Sequence, residues 1–338
     1  GIIGLPRAGK STLFDALTKA VAGTDQTGQD RIAAIRVPDD RVDTLSRMFK
    51  PQKTIYAQVE YVLPGIKKDH ISDPSRWTSV RDCDALLHVV RNHAAYGFEK
   101  PAPAEDFIRL DQELILSDLV VAEKRIERIE ADHKRGKKMD AEEHALLQEC
   151  RQCLENETPL RKKADLALSP KLRGFTFLSA KPVLVLFNNE DDDDRMPDAE
   201  GAIAQEARLV VRGKLEQELA QMAADEAAEF LNEFNIPASA MDRVIQQSYQ
   251  VLDLISFFTV ISNEVRAWTL RNGTPALEAA DVIHSDMKKG FIRAEVVSFK
   301  DLTDAGSYAE AKKRGTVRLE GKAYEVQDGD IIQFRFNV

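Results

Sequence analysis

An α/β domain carrying a helical hairpin, followed by a smaller β-rich domain, is the architecture this sequence predicts. Three observations carry it. The apolar start Gly1-Ile2-Ile3 runs into a glycine-bracketed segment, Gly4 to Thr12, and then into a stretch of helical character. An unbroken apolar run, Pro182 to Phe187, has the character of a strand buried on both faces of a parallel sheet. From about Ile255 the pattern turns to short β-rich runs with turn signals such as Asn272-Gly273 and Asp328-Gly329.

The 338 residues are enough for two domains with an insertion, and the 43% hydrophobic and 30% charged content is that of a soluble protein. Cytoplasmic residence is the expectation. No apolar run reaches membrane-spanning length, no signal-peptide pattern stands at the start, and three cysteines make no disulfide framework. A net charge of -9 argues against a protein that coats nucleic acid, and no DNA partner is expected, but a local basic patch for RNA remains open. Because only three residues precede Gly4, a few N-terminal residues are expected to be absent from the sequence.

The spacing G-x-x-x-x-G-K-S is met by Gly4, Gly9, Lys10 and Ser11. Glycine at both ends lets main-chain amides close around phosphate without a side chain in the way. Arg7, Ala8 and Thr12 complete the expected phosphate-binding segment. Lys10 supplies a point charge for the outer phosphates, and the Ser11 hydroxyl is placed for magnesium. The following helix, Ser11 to Ala20, points its N-terminus at the anion.

Other nucleotide contacts are sought at the ends of later strands. Asn188-Asn189-Glu190-Asp191 follows the apolar run and suits base recognition at the carboxyl edge of the sheet, with Asn188 and Asp191 the reading residues. Asn189 stands where the common N-K-x-D pattern has lysine, and four successive aspartates also suit an acidic surface loop. Guanine and adenine both stay open. A strand Tyr56 to Leu63 is expected to lead to D-x-x-G. Gly65, whose amide would meet the last phosphate, is present, but the aspartate is not; Asp69 and Asp73 are the nearest substitutes.

Ile115, Leu119, Ala122, Ile126 and Ile129 recur at coiled-coil spacing, and Leu147, Cys150 and Leu154 repeat it on a return helix, 141–155. Between them lies His133-Lys134-Arg135-Gly136-Lys137-Lys138, either an anchor for RNA phosphates or a solvated turn. The C-x-x-C of Cys150 and Cys153 lacks a second metal-binding pair and is read as seam packing.

Four stretches carry a family resemblance: GLPRAGKSTLFDALTKA from Gly4, RDCDALLHVVR from Arg81 with the helix from Leu110, SAKPVLVLFNNED from Ser179, and the C-terminal block from EVRAWTLRNGT to LEGKAYEVQDGDIIQFRFNV. In this order they cover nearly the whole chain, which resembles a divergent member of the YchF/Obg-like ATPase family. That resemblance implies a P-loop G domain at 1–254 with the hairpin inserted at about 111–166, and a β-grasp (TGS) domain at 255–338. It further implies hydrolysis of ATP or GTP with Mg2+, and association with ribosomes or ribosomal RNA through the tip Lys134 to Lys138 and the TGS domain, where Lys288, Lys289, Arg293, Lys312, Lys313 and Arg314 are candidates. Thr27 matches the family's first-switch threonine, a magnesium partner beside Ser11, and Ile66 its hydrophobic substitute for a catalytic glutamine. The catalytic residue is not identified; His93 is a candidate by position alone.

Departures from the family concern hydrolysis more than binding. The family's D-x-A-G-L is shortened to Leu63-Pro64-Gly65-Ile66, the glycine-rich second switch is cut down, and Arg212-Gly213 stands for the Ser-Ala behind the base. The expectation is nucleotide binding with slow or partner-dependent turnover. The alternative is a scaffold that binds nucleotide, has lost hydrolysis and acts by docking.

Overall fold

The computed structural model describes residues 1–19, 28–65, 77–94, 97, 99–198, 200–234, 236, 239–261 and 263–337. Thr27, Ile66, Asp69 and Asp73 lie outside the described residues. Strand β1 (Ile2–Ile3) leads into helix α1 (Lys10–Thr18), then β2 (Arg31–Arg36), α2 (Asp40–Phe49), β3 (Lys53–Ile55) and β4 (Gln58–Leu63). A short α3 (Thr78–Arg81) precedes β5 (Leu86–Asn92) and the paired helices α4 (Pro103–Lys134) and α5 (Ala141–Glu155). Next come α6 (Ala164–Ala167), β6 (Val183–Asn189), β7 (Ala207–Val211), α7 (Gly213–Gln221), α8 (Ala224–Glu233) and α9 (Ala240–Val251). The remainder is β8 (Leu254–Ile261), β9 (Glu264–Arg271), α10 (Ala276–Ile283), α11 (Ser285–Lys289), β10 (Phe291–Ser298), α12 (Phe299–Ala305), α13 (Tyr308–Lys313), β11 (Arg318–Glu320) and β12 (Asp330–Phe336).

Two compact units result: Gly1–Ala33 with Tyr61–Val244, and Ala34–Glu60 with Ile245–Val338. The sequence-based boundary follows the chain and falls after residue 254. The units instead join stretches that are far apart in the chain. In the second unit β3 pairs in parallel with β9, matching Thr54 to Val265, and Arg41 of α2 reaches Asp328 at 2.7 Å. Nothing in the local pattern of residues 34–60 announces partners this remote.

The first unit is built on a parallel sheet in the order β1-β5-β6-β7. All seven residues of β6 are buried, which is why its sequence is continuously apolar up to Phe187 rather than alternating. Helix α4 begins at Pro103, before the helical stretch read from Leu110, with proline in its first turn, where the lost N–H has no helical acceptor in any case. Its 32 residues serve two cores. Phe107, Leu110 and Leu114 pack on the sheet with Val90, Val185 and Phe187. Farther along, Ile115, Ala122, Ile126 and Ile129 pack with Leu147, Cys150 and Leu154 of α5, with Leu119 half-buried beside them. Cys150 is a seam residue, its thiol pushed up to about 12 by burial.

Asp118 stands where α4 passes from one core to the other. Fully buried, its carboxylate accepts from the amides of Leu178 (3.0 Å) and Ser179 (2.7 Å) and from Arg81 (3.3 Å). Nearby, Arg161 makes a two-pronged pair with Asp111 (2.8 and 2.9 Å) and a third bond to Glu206. These buried charges persist because every one is answered.

In the second unit β8 and β9 form an antiparallel hairpin, α10 follows, and the last strand β12 lies parallel to β8 with β10 antiparallel beside it. A hairpin, a crossing helix and a final strand parallel to the first make the β-grasp arrangement. Ala276, Ala279 and Ala280 of α10 sit on Phe257, Leu270 and Ile332 of the sheet. Among the described residues no helix is long and apolar enough to cross a membrane.

Removing the Asp118 carboxylate leaves two buried amides unanswered and takes the charged partner from Arg81, which keeps the Ser117 hydroxyl and the Thr176 carbonyl. Asp118→Ala should cost about 3 kcal/mol of stability in urea unfolding; a loss below about 1 kcal/mol would mean that the junction is not held there. His88 on β5 gives a pH signature. Its ring is 2% exposed and stacks on Phe107 at 5.2 Å; burial, then the charges of Arg161 and Lys10, push its pKa down to about 3. An unfolded histidine takes its proton near about 6.5. This contribution to stability is therefore complete above that pH and lost as pH falls toward 3, by up to about 1.4 kcal/mol per pH unit. A His88→Leu chain should lack that part of the slope in denaturation series between pH 7 and 4.

Candidate phosphate-loop site

The loop between β1 and α1 is held by steric need at two glycines. A Cβ on Gly4 (φ 155°) would lie 2.4 Å from the Val89 carbonyl oxygen of β5. On Gly9 (φ 98°) it would lie 2.1 Å from the Asn188 side-chain nitrogen. Between them Arg7 takes φ 62°, a left-handed turn uncommon outside glycine and asparagine, and Ala8 is buried. Gly9 starts α1 without a side-chain cap, so the first turn of this nine-residue helix opens on main chain. Lys10 folds back over the loop, its ammonium 2.9 Å from the carbonyls of both Gly4 and Leu5. Ser11 is exposed at the same end, and Thr12 is half-buried behind it.

Asn188 is the next-to-last residue of β6 and is 6% exposed. Its amide nitrogen donates to the Ala8 carbonyl (3.0 Å), and its oxygen accepts from the Gly213 amide (2.9 Å), where α7 begins. A Cβ on Gly213 would meet that same oxygen at 2.8 Å. One side chain thus joins the phosphate loop, the end of β6 and the turn after β7. Asp191, three residues on, is exposed; its carboxylate accepts from the Leu215 amide (3.2 Å) and lies 4.0 Å from the Lys214 ammonium. Asn189 turns elsewhere: it accepts from Asn92 (2.9 Å) and donates to the Arg195 carbonyl (2.9 Å).

Sequence reasoning passed over two groups here. Asp15, buried on α1, binds Arg31 and accepts from Gln217 of α7 at 3.0 Å, while the Arg31 guanidinium lies 4.5 Å from the centre of the Phe14 ring. A carboxylate on the apolar face of the phosphate helix was the available signal for a cationic partner. Gly65 follows β4, and its amide donates to the Asp30 carboxylate at 2.8 Å. Asp30 carries no pattern that announces this.

His93 is half-buried in the loop after β5, its ring nitrogen 3.1 Å from the Ala94 carbonyl. Among the described residues it makes no bond to the phosphate loop. At the hairpin tip, Asp132 answers Lys137 (3.1 Å) and lies 3.8 Å from Arg135, while Lys134 and Lys138 are exposed. In the C-terminal unit the candidate cations are largely engaged. Lys288 pairs with Glu278 and Asp281, Lys289 with Asp286, and Lys313 and Arg314 with Glu310.

A parallel sheet whose first strand leads through a glycine-bounded loop and lysine into a helix, with an asparagine from a later strand locking the loop, defines a P-loop domain of the GTPase type. A family model described as a 50S ribosome-binding GTPase matches residues 1–126. A second, for the YchF GTPase C-terminal region and described as a protein of unknown function, matches residues 254–337. The chain is 37% identical over 361 residues to the ribosome-binding ATPase YchF of Bacillus subtilis, covering 100% of this chain and 99% of that one. It is 36% identical over 359 residues to the protein of the same name in Escherichia coli, with the same coverage. The solved structure of the Schizosaccharomyces pombe YchF GTPase aligns with a TM-score of 0.85 at 28% identity, over 99% of this chain and 97% of that one. A GTP-binding protein from Pyrococcus horikoshii shares the fold, with a TM-score of 0.62 at 18% identity. The chain belongs to the YchF family.

Asn188→Ala strips the Ala8 carbonyl and the Gly213 amide of their shared partner. It should lower stability by about 2 kcal/mol in chemical unfolding. Affinity for nucleoside triphosphate, read by calorimetry, should fall by about tenfold or more; unchanged affinity would mean that the loop keeps its shape unaided.

Proposed function

We propose that this protein is a nucleotide-binding switch that hydrolyses ATP or GTP slowly, or only with a partner, and grips the ribosome according to the nucleotide it holds. The observation that carries the reading is the loop locked between Gly4, Gly9 and Asn188 with Lys10 folded over it. Both glycines stand where any side chain would collide, which is what a cradle of main-chain amides for phosphate requires.

The residues fit a nucleotide bound with magnesium. Lys10 and the loop amides would hold the phosphates, and the hydroxyls of Ser11 and Thr27 would hold the metal. Among the described residues no group of three or more His, Cys, Asp or Glu side chains could hold a metal alone. What magnesium would supply there is neutralisation of charge on the outer phosphates. Asn188 shapes the loop, and Asp191 offers an acceptor to the base, with either purine open to test. The domain at 1–254 would carry the nucleotide chemistry and the domain at 255–338, with the hairpin tip, the docking.

Slow turnover rests on the shortened Leu63-Pro64-Gly65-Ile66, where the family aspartate is lost. Loss of a residue that orients a metal typically lowers activity by about 10–100-fold. The same loss favours a second reading, a scaffold that binds nucleotide and docks without hydrolysing it. Ribosome binding is suggested by the relatives that carry it in their names. At the tip, Lys134 and Lys138 are the exposed cations beyond the reach of Asp132 in the pairs described.

Three measurements test this. Lys10→Ala should abolish detectable binding of both ATP and GTP in calorimetry, and unchanged affinity would refute the phosphate-loop assignment. Single-turnover hydrolysis with and without ribosomes separates the two readings: slow cleavage accelerated by ribosomes supports the switch, whereas intact nucleotide after long incubation supports the scaffold. Neutralising Lys134, Arg135, Lys137 and Lys138 together should weaken co-sedimentation with ribosomes and flatten its salt dependence by up to about four charges' worth. Sedimentation identical to that of the parent chain would leave the tip a solvated turn.

A further inference from the structure

The Gly65 amide and the Asp30 carboxylate meet at 2.8 Å, across 35 positions of chain. Two further observations make this a built contact. Gly65 presses against the main chain next to Asp30, where a Cβ would lie 2.4 Å from the Gln29 carbonyl carbon, so glycine alone permits the approach. On the other side of Asp30, Arg31 is ion-paired to Asp15 of α1, the helix that begins at Lys10. The main chain bearing Asp30 is therefore tethered to the phosphate helix from one side and packed on Gly65 from the other.

In the nucleotide-binding reading above, on which this inference rests, the Gly65 amide is the donor for the last phosphate. A carboxylate oxygen and a terminal phosphate oxygen are alike in what they ask of that amide: each is an anionic acceptor of one N–H. Both cannot have it, and two anions brought to one donor repel. We propose that Asp30 is an intramolecular rival of the terminal phosphate for the Gly65 amide, and so a residue that sets the preference for triphosphate over diphosphate. Triphosphate binding must release the carboxylate, whereas a diphosphate, which does not reach Gly65, leaves it in place. Asp30 thus keeps the Gly65 amide occupied until the third phosphate displaces it.

The test compares dissociation constants for a non-hydrolysable triphosphate and for the diphosphate, with magnesium, in the parent chain and in Asp30→Ala and Asp30→Asn. Asp30→Ala should raise triphosphate affinity by about three- to tenfold, the net scale of one ordinary hydrogen bond, and Asp30→Asn, which loses the charge but keeps an acceptor oxygen, should raise it by less. Diphosphate affinity should stay within about twofold, and it serves as the control for folding. Equal affinity for the triphosphate in all three chains would overturn the rivalry. Weaker triphosphate binding in Asp30→Ala would overturn it too, by showing a carboxylate that assists the metal. Failure of the parent chain to bind either nucleotide would instead remove the phosphate-loop reading beneath it, a result distinguishable from an unmoved ratio in a chain that binds both.

Discussion

The Asn188 side chain holds the candidate site together. It lies near the end of an inner strand of a parallel sheet, where burial removes water as an alternative partner, and its two polar atoms are spent on the Ala8 carbonyl and the Gly213 amide. A planar amide is one donor and one acceptor in fixed relation. Satisfying both sets the distance between the phosphate loop and the start of α7. The glycines at 9 and 213 follow from this, because each lies where a Cβ would strike that amide. The glycine spacing of the loop and the asparagine far downstream are thus two halves of one packing constraint.

A second constraint concerns charge in buried places. Helix α4 crosses from the sheet core to the hairpin core, and at the crossing Asp118 is sealed from solvent with two amides and Arg81 around it. Arg161 ties Asp111 and Glu206 close by. Burial by itself pushes the Asp118 pKa up, and the answering donors pull it back. Such groups add little net stability compared with apolar packing, but they fix which residues face each other. A helix serving two cores depends on that choice of register.

The two families of hydrogen bonds also explain how legible the sequence is. The phosphate loop, the continuous apolar run of β6 and the 3.5-residue seam of the hairpin are local patterns, and each lies where the sequence places it: α5 spans Ala141–Glu155, and Cys150 is a seam residue rather than a metal ligand. The sequence singles out Asn188 by its place in the N-x-x-acid pattern, but does not show that it locks the loop while Asn189 binds Asn92 and the Arg195 carbonyl. Two adjacent asparagines differ only in the direction in which the strand turns them.

What the sequence by itself determined is the phosphate loop and the YchF family. Both are written in residue type at short spacing, where sterics and main-chain geometry leave few choices. Only the tertiary structure decided that residues 34–60 group with 245–338, that Asp15 finds Arg31, and that the Gly65 amide is answered by Asp30. Those are matters of which distant groups approach closely enough to share a proton or a strand edge. Coulomb attraction and hydrogen bonding act through space, and residues far apart in the chain carry no mark of it until the fold brings them together.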